Sequence, residues 1–142
     1  MADILHEFPI NASGEAVFAA LTTTEGLDAW WTKSSSAEPW VGGIYGLYFG
    51  GGHDWRGEVV RFEPGRAFEL KMFHCDQDWN GTAVCFELEP GDRTIVRFQH
   101  LGWADANQHF RISSFCWALY LRLLAKYVET GAIVPYEERQ SA

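Results

Sequence analysis

The chain is poor in sulfur and in positive charge, and it has no long apolar run. Its three cysteines, Cys75, Cys85 and Cys116, are odd in number and never spaced as a CxxC pair. That argues against a disulfide framework and a cysteine-rich zinc site, and predicts reduced thiols. Eleven Lys plus Arg face nineteen Asp plus Glu, a formal charge of -8. The basic residues are scattered from Lys33 to Arg139, so binding to nucleic-acid phosphates or to an anionic membrane is not expected. No apolar stretch approaches the ~18 residues of a membrane span, and the opening MADILHEFPI has neither the basic nor the apolar region of a secretory signal. The expected compartment is cytoplasmic. The glycines of VGGIYGLYFGGG (Val41 to Gly52) are not followed by Lys-Ser or Lys-Thr, so they are not a phosphate loop and read instead as a bent strand.

What is abundant is aromatic carbon, 15% of the chain with seven tryptophans. A length of 142 residues fits one domain with a core of its own, and the expected unit is 1–142 with its core in about 3–131. Ile4, His6, Phe8 and Ile10 on one face alternate with Leu5 and Glu7 on the other, which predicts a first strand over Asp3 to Asn11. Ser13 is placed to cap a short helix over about Gly14 to Leu21, and a second follows over about Thr24 to Trp31. After the bent segment come four strands in hairpin order, about Trp55–Phe62, Ala67–His74, Thr82–Glu89 and Thr94–Leu101. Their breaks are Glu63-Pro64-Gly65-Arg66, a loop ending in Asn80-Gly81, and Pro90-Gly91-Asp92-Arg93. Trp117, Tyr120, Leu121, Leu124 and Val128 then recur at helical spacing within about Ala106 to Thr130, Gly131 closes that helix, and the tail YEERQSA is expected to fray.

Such an order buries one sheet face against one broad helix stripe. The predicted class is α+β, a curved antiparallel sheet of about six strands on a long C-terminal helix, with two short helices after strand 1. This arrangement resembles the helix-grip fold of the START and birch-pollen-allergen (SRPBCC) superfamily. INASGEAVFAALTTTEGLDAWW (Ile10 to Trp31), VGG (Val41 to Gly43), RGEVVRFEPGRAFEL (Arg56 to Leu70), HLGW (His100 to Trp103) and WALYLRLLAKYVETG (Trp117 to Gly131) together resemble the family of the activator of heat shock protein 90 ATPase. Cys116 departs from that pattern, standing where a glycine usually precedes the helix tryptophan, and FGGGHDW and HCDQDWNG are this chain's own. The separate chaperone-binding domain of the eukaryotic activator has no counterpart in these residues, so a chaperone partner is left unsupported; a homodimer remains open.

The resemblance implies an apolar cavity between sheet and helix. Alternation and the helix stripe place Trp55, Phe68, Leu70, Met72, Val84, Phe86, Val96, Phe98, Phe110, Trp117, Tyr120 and Leu124 along it. Adjacent residues on a helix do not face the same way, so Trp30 and Trp31 are expected to divide their work, one indole in the core and the other closing the cavity end. The ligand-contacting set is therefore Trp30, Trp31, Trp55, Met72, His74, Phe86, Phe98, His100, Phe110, Trp117 and Tyr120. If Leu88 pairs with Thr94 and Met72 with Val84, then His74, Thr82 and His100 share the inward face, with His6 beside His100.

Such a row could orient a ligand or relay protons, with His74 and His100 the general acid/base candidates; the plainer reading is histidines at strand ends bonded to backbone. His53, Asp54, His74, Cys75 and Asp76 are ligand-type residues without metal-site spacing, so no metal is expected, and nothing points to a cofactor. Cys75 and Ser114 lack a nucleophile motif. Asp76 with Asp78, and Glu58 with Glu63, read as exposed charge, and Arg56 and Arg61 as outer-face residues. Three functions stay open: a binder of a small hydrophobic or aromatic molecule, an enzyme of cyclase, dehydratase or hydrolase type, and a protein-interaction module.

Overall fold

Alternation in the first strand, β1 (Ala2–Ile10), buries Ile4 and Ile10, half-buries His6 and Phe8, and exposes Asp3, Leu5, Glu7 and Pro9. The structure, a computed structural model, describes residues 1–141. Ser13 caps α1 (Gly14–Thr22), its hydroxyl accepting from the Ala16 N–H at 3.1 Å. Thr23 serves both short helices. Its hydroxyl donates to the Ala19 carbonyl at 2.7 Å, closing α1, and accepts from Gly26 N–H at 3.0 Å, opening α2 (Thr24–Trp30). Gly26 is where the two helices touch, since a Cβ there would stand 2.5 Å from the Ala20 Cα.

The remaining strands are β2 (Ser34–Ser36), β3 (Ile44–Tyr48), β4 (Asp54–Glu63), β5 (Ala67–His74), β6 (Ala83–Glu89) and β7 (Thr94–Trp103). They form one antiparallel sheet in the order β1-β7-β6-β5-β4-β3-β2. Seven strands replace the expected six because the polar triplet Ser34–Ser36, which carries no hydrophobic alternation, pairs with β3 through backbone groups alone. The long helix α3 (Gln108–Thr130) starts two residues later than its periodicity suggests, because Asn107 caps it by accepting from Phe110 N–H at 2.9 Å. It ends at Gly131, whose φ of 78° suits the left-handed cap. The class is the predicted α+β helix-grip arrangement.

Two hairpin registers differ from expectation by two residues. Leu88 pairs with Val96 rather than Thr94, and Leu70 rather than Met72 pairs with Val84. In the first case Thr94 is taken by β1: it faces Ile10, and its hydroxyl donates to the Ala12 carbonyl at 2.8 Å. In the second, Gly81 N–H bonds the Met72 carbonyl and Met72 N–H the Thr82 carbonyl, so Thr82 lies across from Met72 and not from His74. A two-residue shift keeps every side chain on its predicted face, which is why the core survives the error.

The centre of the sheet–helix interface is filled. Trp30, Phe86, Phe98 and Trp117 run ring to ring through it, with centroids 6.3, 5.2 and 4.4 Å apart in turn. Open volume is left at one end. There the C-terminal tail docks instead of fraying, as a 3-10 turn over Tyr136–Ser141 with Arg139 only 2% exposed. No helix among the described residues is long and apolar enough to cross a membrane.

Candidate functional site: an aromatic cleft

Trp31 leaves α2 as its C-cap with φ -122° and ψ -65°, outside helical geometry. This break lets two adjacent indoles stack, their planes 17° apart and centroids 5.6 Å apart. Trp30 points into the core, fully buried, and donates its N–H to the Ala20 carbonyl at 2.9 Å. Trp31 turns to the open end.

There it joins a closed circuit of five rings. Trp31 meets Phe49, from the β3–β4 connection, at 5.5 Å; Phe49 meets Trp55 of β4 at 5.4 Å; Trp55 meets Trp79, from the β5–β6 loop, at 4.7 Å. Trp79 meets Trp117 of α3 at 5.9 Å, and Trp117 returns to Trp31 at 5.0 Å. All five bound a solvent-open cleft of about 300 Å³, whose lining is completed by Ser113, Cys116 and Tyr120 of α3, by His53, His109 and Ile112, and by Tyr136 and Gln140 of the C-terminal turn. That volume is at the small end for a ligand pocket, and its mostly aromatic wall with a few polar groups is the usual composition of one.

Trp79 reaches the cleft because its loop is a tight, self-bonded turn. The Asp76 carbonyl accepts from both Trp79 and Asn80 N–H groups, and the Asn80 amide oxygen accepts from Cys75 N–H at 2.8 Å. Asp78, next to Trp79, holds His109 of α3 at 3.0 Å, tying this loop to the helix.

Behind the cleft, a directional chain fixes two of its walls. Trp117 can only donate, so His100 Nδ1 accepts its N–H at 3.1 Å, and the imidazole proton lies on Nε2. Nε2–H then donates to the Thr82 hydroxyl at 2.8 Å, which donates to the Trp79 carbonyl at 2.6 Å. Every lone pair and proton of the imidazole ring is used. His100 is wholly buried, and burial, reinforced by nearby His109, lowers its pKa to about 3. It is a neutral spacer holding Trp117 and the Trp79 backbone.

Of the residues assigned to ligand contact from sequence, Trp31, Trp55, Trp117 and Tyr120 line the cleft. Trp30, Met72, Phe86, Phe98 and His100 lie in the packed core. Phe110 is half-buried against Trp103, its ring edge-on at 5.5 Å. His74 is exposed at the end of β5, opposite Arg56. His6 faces Phe98 across the strands, not His100, and stacks on it at 6.1 Å. The foreseen histidine row thus reduces to the Thr82–His100 pair.

Arg56 and Arg61 occupy the solvent side, the first paired with Asp54 at 2.9 Å and the second with Glu63 and Glu87 at 2.7 and 3.0 Å. Burial raises the thiols of Cys75 to about 11 and Cys85 to about 12, and it raises Cys116 as well, so none is an activated nucleophile. Among the described residues no group of three or more His, Cys, Asp or Glu is gathered as a metal site.

Phe49, Trp79, His109, Tyr136 and Gln140 were not foreseen. Trp79 carried a signal, being the one large apolar residue in the polar run DQDWNG, where an indole has no reason to sit unless it turns inward. A second groove of about 770 Å³ lies between β1 and α3, lined by His6, Phe8, Leu121 and Ala125 with the charged Arg122, Lys126 and Glu129. It is larger, but it lacks converging rings.

The sequence profile described as Activator of Hsp90 ATPase homolog 1-like protein matches residues 11–129. No curated protein matches the chain. Among solved structures, the Aha1 dimer from Colwellia psychrerythraea is 32% identical over 92% of this chain and 98% of its own, with a TM-score of 0.84. Protein MLL2253 from Mesorhizobium loti is 20% identical over 93% of this chain and 100% of its own, TM-score 0.82. CalU16 from Micromonospora echinospora is 20% identical over 98% and 83%, TM-score 0.73. The last two show likeness of fold alone.

Proposed function

The chain belongs to the family of Activator of Hsp90 ATPase homolog 1-like proteins, and from that membership we propose that it binds a small hydrophobic or aromatic molecule in the cleft at the open end of its helix grip. The observation that carries this reading is the circuit of Trp31, Phe49, Trp55, Trp79 and Trp117 around one solvent-open volume. Trp31, Trp79 and Trp117 are buried among their neighbours, but Phe49 and Trp55 are only half-buried, so the cleft keeps apolar wall in contact with water, a cost that a ligand relieves. A catalytic reading through His74 or His100 has less support, because the first is exposed away from the cleft and the second has its ring committed on both sides.

The test is titration of the protein with 1-naphthol, followed by tryptophan emission. Saturable one-to-one quenching is expected for the wild type and its loss for Cys116→Phe, which fills the cleft from α3 without entering the core. Absence of saturable binding, or binding indifferent to that substitution, overturns the reading.

A second reading concerns the partner. The Colwellia relative is described as a dimer, and α3 here exposes Ile112 and Phe115 on one side, the latter 78% exposed. Self-association through that face is the arrangement these two observations favour.

A further inference from the structure

We infer that the cleft selects a quaternary ammonium group, that is, a cation whose charge is wrapped in methyl or methylene groups. The inference rests on the reading of the cleft as a ligand site and narrows its ligand class. Four of the protein's seven tryptophans stand in the circuit. Aliphatic side chains would serve a neutral hydrophobic ligand equally well; an indole adds a π face of negative potential, the strongest side-chain partner for a cation. Neighbouring centroids lie 4.7 to 5.9 Å apart, so a cation lodged against this wall comes within the ~6 Å reach of a cation–π contact for more than one ring.

The charges around the cleft point the same way. Among the described residues no Lys or Arg lines it. The nearby cations are already held: Lys33 by Glu137 at 3.6 Å, Arg56 by Asp54 at 2.9 Å, and Arg139 by backbone carbonyls. Apart from the imidazoles of His53 and His109, the second already held by Asp78 at 3.0 Å, an anionic ligand would find no counter-charge there. No Asp or Glu lines it either, and its oxygens are the neutral ones of Ser113, Tyr120, Tyr136 and Gln140, so a metal ion or a primary ammonium, best held by carboxylates once stripped of water, gains less there. A quaternary ammonium donates no hydrogen bonds and is weakly hydrated, so an aromatic wall without carboxylates suffices to hold it. The chain's formal charge of -8 raises the local concentration of any such cation.

The test compares choline with its uncharged carbon isostere, 3,3-dimethylbutan-1-ol, each titrated into the full chain and followed by proton NMR and calorimetry. The expected result is that choline binds at least about tenfold more tightly, with its methyl protons shifted upfield by the indole ring currents. Trp55→Leu should weaken choline about tenfold and the alcohol less than twofold. Equal or tighter binding of the alcohol overturns the inference while leaving a hydrophobic ligand site in place. Binding of 1-naphthol without binding of choline does the same. If none of the three probes binds, the site reading itself fails.

Discussion

His100 Nδ1 accepts the indole N–H of Trp117 at 3.1 Å, joining β7 to α3 through a bond that only the neutral imidazole can make. Protonation would turn the acceptor into a donor facing another donor, in a wholly buried position. With its pKa near 3 in the folded chain and ~6.5 when unfolded, this group makes the unfolded state bind the extra proton throughout that window. Its contribution to stability is therefore complete above about pH 6.5 and is lost as pH falls toward 3, at about 1.4 kcal/mol per unit. Between pH 6.5 and 4.5 the wild type should lose about 2 to 3 kcal/mol that His100→Gln does not. Urea unfolding across that range checks it; parallel pH profiles for the two proteins would sink the assignment.

His100 also marks the limit of what was legible. Strand alternation placed it on the inner face with Val96 and Phe98, correctly, because period-two patterning reads face without needing register. Its partners were not legible, since Thr82 and Trp117 meet it through hairpin geometry and helix rotation that local pattern does not encode. The helix-grip order was readable because every element except β2 and the C-terminal turn carries its own period or cap. The cleft was readable only where its walls belong to such elements, as with Trp55, Trp117 and Tyr120. Trp79 and Tyr136 come from a loop and a tail, whose paths are set by the particular contacts of Asn80 and Arg139 rather than by a periodic pattern.

Gly26 is a packing requirement where α1 meets α2. A Cβ there would lie 2.5 Å from the Ala20 Cα and 2.6 Å from the Ala20 carbonyl oxygen, and backbone cannot swing aside as a side-chain tip can. The same Ala20 carbonyl accepts the Trp30 N–H. Gly26→Ala should therefore cost about 1 to 3 kcal/mol, as overpacking does, despite alanine's higher helix propensity. Chemical denaturation measures it, and a variant as stable as the wild type would show that α1 and α2 do not meet this way.

Phe115 tests self-association. A side chain that large and 78% exposed on α3 gains by being covered. If a second copy covers it, sedimentation velocity should show a dimer for the wild type and a monomer for Phe115→Glu, with circular dichroism and the unfolding midpoint nearly unchanged. A dimer that persists in Phe115→Glu places the interface elsewhere.

Arg139 holds a charge where charge is costly. Its guanidinium donates to the carbonyls of Val134, Thr32 and Asp28 at 2.9, 3.1 and 2.7 Å and lies 5.4 Å from the centre of the Tyr136 ring. Burial lowers its pKa, but an arginine so far above neutrality stays charged, and the three carbonyls replace its lost water. This latch positions Tyr136, which donates to the Phe49 carbonyl and lines the cleft together with Gln140. Arg139→Ala removes all three bonds and leaves the Thr32 carbonyl, in a buried residue, without that donor, a loss of about 1.5 to 3 kcal/mol for hydrogen bonds of a charged donor. Arg139→Lys should recover only part, since one ammonium lacks the planar fork that reaches three acceptors. Hydrogen exchange separates this from a global effect: in Arg139→Ala the amides of Tyr136 to Ser141 should lose protection before those of β7, and ligand affinity should fall with them. Unchanged exchange in that turn would mean that the tail is held by something other than its arginine.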